Sequence, residues 1–293
     1  MKTIIIGLGS MGHAHLKALI NVDLIKEIHI YDIHKNKLIN LKKKYKKKIK
    51  ILNSLKENNN YQLAVIATNS LDRLKVLKKL INFNKVKNIL LEKFPFTKLS
   101  DLKLFENKIY FKSKNNIDVN TWGKYIANRL KLKYKPTNII VKTNSKNFLS
   151  NFIHFADIFL FYNNKEKYFI NLSKLKKKIY KNTRKGYHEK RGKILINSKS
   201  LSFEYIYNHK LKNLFEISFI NKNKIFLRIE KDNNTKLKII DNNVRLIEFP
   251  IAKILTKKYF NDTLKFRRSK DFSTLQIIKF SKLLLKEINK IKI

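Results

Sequence analysis

Apolar and polar positions change rhythm once along the chain, and the change divides it in two. Lys2–Ile6 is a short apolar run that predicts a buried strand, and a helix follows through Leu19. Glu27–Tyr31 predicts the next strand. Leu38, Leu41, Tyr45 and Ile49 recur at spacings of 3, 4 and 4 on a Lys-rich stretch, which predicts one amphipathic helix. Leu63–Ala67 predicts another buried strand, Leu71, Leu74, Leu77 and Leu80 a helix face, and Val86–Leu91 a further strand. Strand and helix therefore alternate over residues 1–115, which predicts an α/β unit with a doubly wound parallel sheet.

Residues 116–293 keep a period of two. Leu201, Phe203, Tyr205 and Tyr207 alternate with mostly polar residues, as do Phe215, Ile217 and Phe219, then Ile225, Leu227 and Ile229. Asn221-Lys222-Asn223 lies between two of these runs as a hairpin turn. Asp232-Asn233-Asn234 and Asp241-Asn242-Asn243 punctuate the next ones. The pattern predicts an α+β domain with a large, mostly antiparallel sheet laid out as a meander. A closing helix, 273–290, opens at Ser273 with Gln276 as its capping-box pair and is free to pack back on the first half. The boundary between the halves is expected within 112–120.

Composition narrows the classes. The 293 residues are 43% hydrophobic, enough for a real core. With no Cys, disulfide frameworks, thiol catalysis and thiolate metal sites are excluded together, and no metal site is expected. No uncharged apolar run reaches membrane-spanning length, and the opening apolar stretch is too short for a signal peptide, so the expected location is the cytoplasm. The net charge of +45 invites a nucleic-acid reading. Only 8 of the 66 basic residues are Arg, the preferred side chain for bidentate base readout, and the Lys are spread along the whole chain. Solvated Lys faces explain this better than a specific nucleic-acid site, and an anionic small-molecule substrate is compatible with it.

Gly7-Leu8-Gly9-Ser10-Met11-Gly12 is a G-x-G-x-x-G between an apolar strand and a helix. At this glycine frequency a chance match is on the order of 1 in 400. Gly7 permits the tight turn, Gly9 lets a pyrophosphate approach the backbone, and Gly12 lets helix pack on strand. The N–H groups of Ser10 and Met11 then open a helix whose positive end faces the phosphates. Asp32, twenty residues after Gly12, suits the adenosine ribose hydroxyls and repels a 2′-phosphate, which favours NAD, with NADP as the alternative. Glu92-Lys93 ends a strand, on the side where such sheets bind ligands. His154 and Asp157 are three apart on an apolar helical stretch and share a face; a capped or buried polar pair is the bland alternative.

Taken together, these segments resemble the glucose–fructose oxidoreductase/inositol dehydrogenase/MocA (Gfo/Idh/MocA) family. Gly7 to His15 is similar to its G-x-G-x-x-G-x-x-H opening, and Ala67-Thr68-Asn69-Ser70 to its T-P-N segment. Leu91-Glu92-Lys93 is similar to its E-K-P motif, and Phe148–Phe161 to its helix bearing H-x-x-D. The resemblance implies an N-terminal Rossmann domain, a C-terminal domain with a large open antiparallel sheet, and homodimers or homotetramers built on that sheet. It implies NAD(P)-linked hydride transfer at a secondary alcohol or ketone carbon of a sugar, polyol or nucleotide sugar. Thr68, Asn69 and Glu92 would join Gly7, Gly9, Ser10, Met11, Gly12 and Asp32 around the cofactor. Lys93 would stabilise the developing alkoxide, His154 would take the alcohol proton, and Asp157 would orient His154. Four positions depart from the pattern. Phe94 stands where Pro follows the Lys, with Pro95 one place later, Asn69 where Pro is usual, Arg73 where a His often follows, and Ser150 where an Asp often precedes the helix His. A non-catalytic NAD- or sugar-binding relative is the main alternative, and a polyanion-binding protein on a nucleotide-binding fold the lesser one.

Overall fold

A computed structural model describes residues 1–45, 48–111, 114–181, 188–231, 236–266 and 274–291. The first stretch of chain forms β1 (Lys2–Ile6), α1 (Ser10–Leu19), β2 (Glu27–Tyr31), α2 (Asn36–Lys44), β3 (Ile49–Ile51) and β4 (Asn60–Ile66). It continues with α3 (Arg73–Phe83), β5 (Lys85–Leu91), α4 (Leu99–Leu104), a π-helical turn (Phe105–Tyr110) and β6 (Asn116–Val119). Then come α5 (Gly123–Leu130), β7 (Asn138–Thr143), α6 (Phe148–Tyr162), β8 (Tyr168–Asn171), β9 (Tyr180–Lys181), β10 (His188–Glu189), β11 (Lys193–Ser198) and β12 (Ser202–Tyr207). The chain closes with β13 (Phe215–Asn221), β14 (Lys224–Lys231), β15 (Lys236–Ile240), β16 (Val244–Glu248), α7 (Ala252–Phe266) and α8 (Thr274–Lys290). Contacts group them into two compact units, one of Met1–Trp122 with Pro250–Lys282, the other of Gly123–Phe249 with Leu283–Ile293.

The first unit holds a six-stranded parallel sheet in the order β3-β2-β1-β4-β5-β6. Ile4, Ile5 and Ile6 of β1 and Leu63 to Ile66 of β4 are all buried, as strands sheltered on both faces must be. The order reverses between β1 and β4, which creates a crevice at their carboxyl ends. The helix predicted through Ile49 ends at Lys44, and Ile49 opens the edge strand β3. Leu71 lies before α3 and is half exposed. Helix α7 packs on α1 and buries Leu255, Tyr259, Phe260 and Thr263. That spacing is helical, but a reading of the second half as a meander passes over it.

The second unit holds an eight-stranded sheet in the order β16-β15-β14-β13-β7-β12-β11-β8. All neighbours are antiparallel except β7 and β12. This corrects the simple meander: β7, from before α6, is inserted between β12 and β13, because alternation fixes which side chains face inward and not which strand lies alongside. The Asn221-Lys222-Asn223 turn forms as expected, with Lys222 and Asn223 at positive φ and Asn221 paired with Lys224. The turn expected at 232–234 and the capping residue Ser273 lie outside the described residues. One sheet face packs on α6, whose apolar residues run right round the helix and are buried accordingly. Tyr205 is stacked on Phe148 with ring centroids 4.3 Å apart, and its hydroxyl donates to the Phe148 carbonyl at 3.0 Å.

Candidate functional site

The glycine turn starts where β1 ends, with Ile6 paired to Tyr31 on one side and Ile66 on the other. Gly7 has φ +88°, and a Cβ there would lie 2.8 Å from the Thr68 nitrogen. A Cβ on Gly12 would lie 1.9 Å from the Gly7 carbonyl oxygen. These two glycines are required by the chain's own backbone. Gly9 is different: no atom lies within 4 Å of where its Cβ would stand. Among the described residues no side chain caps α1 at Gly9, so the first helical N–H groups and the positive end of the helix are left for a ligand. Asp32 holds the turn from the next strand. Its Oδ2 accepts the Leu8 N–H at 2.6 Å and its Oδ1 the His34 N–H at 2.8 Å, and each oxygen keeps a lone pair. Open space at Gly9, uncapped N–H groups and a carboxylate fit a dinucleotide's pyrophosphate and ribose.

Beside this turn the segments after β4 and β5 are tied together. Arg73, buried at the start of α3, donates to the carbonyls of Thr68, Glu92 and Phe94, and to that of Pro95 at 3.2 Å. Glu92 is buried as well. Its Oε1 meets His15 Nε2 at 3.0 Å and accepts from the Asn120 side-chain amide. On its other side His15 Nδ1 lies 2.6 Å from the hydroxyl of Thr256, which donates to the Ala252 carbonyl at 2.6 Å. Burial alone would raise the Glu92 carboxyl. The hydrogen bond and charge of His15, the Asn120 amide and the Arg73 guanidinium outweigh it and hold the group at about 2. Glu92 is thus an ionised anchor within this unit. Lys93 follows it, half-buried, and Phe96 closes the segment in the core. Thr68 Oγ1 is buried and has no hydrogen-bond partner among the described residues.

In the second unit, His154 and Asp157 are both buried on α6. Asp157 Oδ2 accepts the Lys124 N–H at 2.8 Å, in the first turn of α5. A Cβ on Gly123 would lie 2.1 Å from the His154 carbonyl oxygen, so α5 can start here only at a glycine. Asp157 thus serves as a carboxylate at a helix N-terminus, in keeping with the capped polar pair that was the alternative to an acid–base pair. Glu189 is a functional carboxylate that the sequence pattern does not reveal. That buried carboxylate accepts the N–H of Leu149 at 2.7 Å, the N–H of Ser150 at 3.3 Å and the Ser150 hydroxyl. Among the described residues no group of His, Asp and Glu side chains could hold a metal ion, and no helix is long and apolar enough to cross a membrane.

No protein-family profile matches the chain, and no curated protein matches it in sequence. Solved structures do match. A dehydrogenase (MviM) from Clostridium difficile is 18% identical with a TM-score of 0.72, over 99% of each chain. Scyllo-inositol dehydrogenase from Lactobacillus casei, with bound NAD(H) and scyllo-inositol, is 15% identical with a TM-score of 0.69, over 99% of this chain and 97% of that one. UDP-N-acetylglucosamine 3-dehydrogenase GnnA from Acidithiobacillus ferrooxidans is 11% identical with a TM-score of 0.67, over 98% of this chain and 96% of that one. The chain has the Gfo/Idh/MocA fold.

Within the Gfo/Idh/MocA fold the four sequence departures acquire physical content. Arg73, at the place of a frequent His, is the residue that binds the Thr68 and Glu92–Pro95 carbonyls. Phe94, at the place of Pro, has its carbonyl held by that same guanidinium. Ser150, at the place of a frequent Asp, has a carboxylate beside it after all, supplied by Glu189 from β10. Asn69, at the place of the other Pro, is exposed. Nothing along the chain signals Glu189, because a carboxylate on a two-residue strand 39 positions away has no periodicity to betray it.

Proposed function

We propose that the chain is a nicotinamide-dinucleotide-dependent oxidoreductase. It would transfer hydride at a secondary alcohol or ketone carbon of a sugar, polyol or nucleotide sugar. The observation that carries the reading is the glycine turn at the order reversal of the parallel sheet. Gly7 and Gly12 are dictated by the chain's own packing, and the space over Gly9 by none of its atoms. The similarity in fold to an inositol dehydrogenase holding NAD(H) and to a UDP-N-acetylglucosamine 3-dehydrogenase supports the substrate class.

The N–H groups of Ser10, Met11 and Gly12 would bind the pyrophosphate, and Asp32 the adenosine ribose, where its charge disfavours a 2′-phosphate and so prefers NAD to NADP. Thr68 and Asn69 would line the nicotinamide end. The bound nicotinamide supplies the hydride acceptor or donor. Lys93, as an ammonium, would stabilise charge developing on the substrate oxygen, and His154 would take or return the alcohol proton at an imidazole nitrogen. Glu92, assigned to the cofactor by its motif, would serve through the Lys93 segment rather than by touching the dinucleotide, since its carboxylate is already engaged by His15 and Asn120.

Calorimetry with NADH and NADPH, followed by NADH absorbance against a panel of sugars, polyols and nucleotide sugars, tests the reading. Lys93→Ala and His154→Ala are each expected to lower kcat by about 100-fold or more while NADH affinity changes little. Absence of binding heat with either dinucleotide overturns the whole reading. NADH binding without turnover by the unmodified chain favours the second reading, a non-catalytic binding relative.

A further inference from the structure

The geometry points to Arg73 as the positioning residue of the reaction: its guanidinium fixes the segment that carries Lys93 and joins it to the one that carries Thr68. This deepens the proposed dehydrogenase reading and rests on it. Four carbonyl oxygens converge on the one guanidinium. Three belong to Glu92, Phe94 and Pro95, on both sides of Lys93, and the fourth to Thr68. The side chain is nearly inaccessible, at 3% exposure, and its bonds to the Glu92 and Pro95 carbonyls are buried, where charge-assisted donors are strong. A planar fork with five N–H donors binds several carbonyls in fixed directions, whereas an ammonium offers three donors that rotate about a single atom.

The segment is held from its other side too. The Glu92 side chain is locked by His15 and Asn120 while its carbonyl is locked by Arg73, and Phe96 is buried at 1% exposure. Lys93 is therefore flanked by fixed points before and after it. This is the arrangement needed to hold an ammonium to within a fraction of an ångström of a reacting oxygen, and losing such placement costs on the order of 10- to 100-fold in rate. A proline after the lysine would stiffen the segment covalently. Here the proline comes one residue later, at Pro95, and the guanidinium adds hydrogen bonds to the carbonyls of Phe94 and Pro95.

Arg73→Lys and Arg73→Gln are compared with the unmodified full-length chain in two measurements. Hydrogen–deuterium exchange reads the constraint without needing activity: peptides covering 67–70 and 92–97 should exchange faster in the variants, with β1 and β4 unchanged. Steady-state rates, normalised to the concentration of NADH-binding sites, read its consequence. Site-normalised kcat should fall 10- to 100-fold with NADH affinity within about threefold, and Lys should not rescue Gln. A purely structural role would lower the number of binding sites and leave the rate per site intact. Unaltered exchange, or faster exchange with an unaltered rate per site, overturns the proposal. Should the unmodified chain bind no dinucleotide, the dehydrogenase reading fails and takes the positioning role with it. The exchange result then still reports whether the guanidinium constrains the two segments.

Discussion

Gly9 and Gly12 belong to one hexamer and do different work, which single substitutions can separate. Gly12→Ala forces a methyl group onto the Gly7 carbonyl and should destabilise the fold by about 1–3 kcal/mol or more, read as a lower urea midpoint. Gly9→Ala meets no protein atom, so the urea midpoint should stay put while NADH binding weakens at least tenfold. Glu92 offers a second residue-scale test. Its carboxyl is held at about 2, below its ordinary 4.5, so its contribution to stability is fully present above that ordinary value and is lost as pH falls through about 2. The stability gap between the unmodified chain and Glu92→Gln, measured by urea unfolding, should be constant at neutral pH and shrink as the pH is lowered from about 4.5 toward 2. A gap that grows on acidification would contradict the assignment of Glu92 as the ionised partner.

At the scale of the element, α6 and α5 each begin on a carboxylate contributed from elsewhere. Glu189 supplies it to α6 and Asp157 to α5. Such carboxylates satisfy N–H groups that the helix itself cannot, and they complement its dipole. Glu189→Gln should therefore cost about 1–3 kcal/mol in urea unfolding, more than Ser150→Ala, since it removes the charge from three hydrogen bonds at once. Equal costs would place the weight on the Ser150 hydroxyl instead. The predicted helices and strands with strong periodicity formed nearly where expected, α6 and β13 among them. The misplacements have local causes. Ile49 fits the helical spacing after Tyr45 but is drawn into β3 by pairing with Ile28, a partner twenty-one residues away. The spacing of Leu255, Tyr259 and Thr263 in α7 is helical and legible in the sequence itself.

At the scale of the whole molecule, one face of the eight-stranded sheet bears on association. On the sheet face opposite α6, strand alternation places Ile140, Ile206, Ile220, Ile240, Val244 and Leu246 among charged residues. Val244 and Leu246 are 62% and 60% exposed. A monomer seldom leaves such a surface to water, and the expected homodimer or homotetramer would cover it. Sedimentation equilibrium should return at least twice the 35.0 kDa of one chain, and Leu246→Glu should shift it toward a single chain. A monomeric unmodified protein at micromolar concentration would dismiss this use of the face.

What the sequence determined by itself was local or periodic: the parallel and antiparallel halves, the glycine turn with Asp32 twenty residues on, and the apolar helix bearing His154. These follow from alternation, helical spacing and the steric demands of glycine, all of which act between near neighbours in the chain. The tertiary structure alone decided the insertion of β7 between β12 and β13, the return of α7 to α1, and the partners of buried charge. Arg73, Glu92 and Glu189 each find theirs across 5 to 77 residues. A charge excluded from water must be answered by whichever polar groups the packed chain brings beside it, and no pattern along the sequence says which those will be.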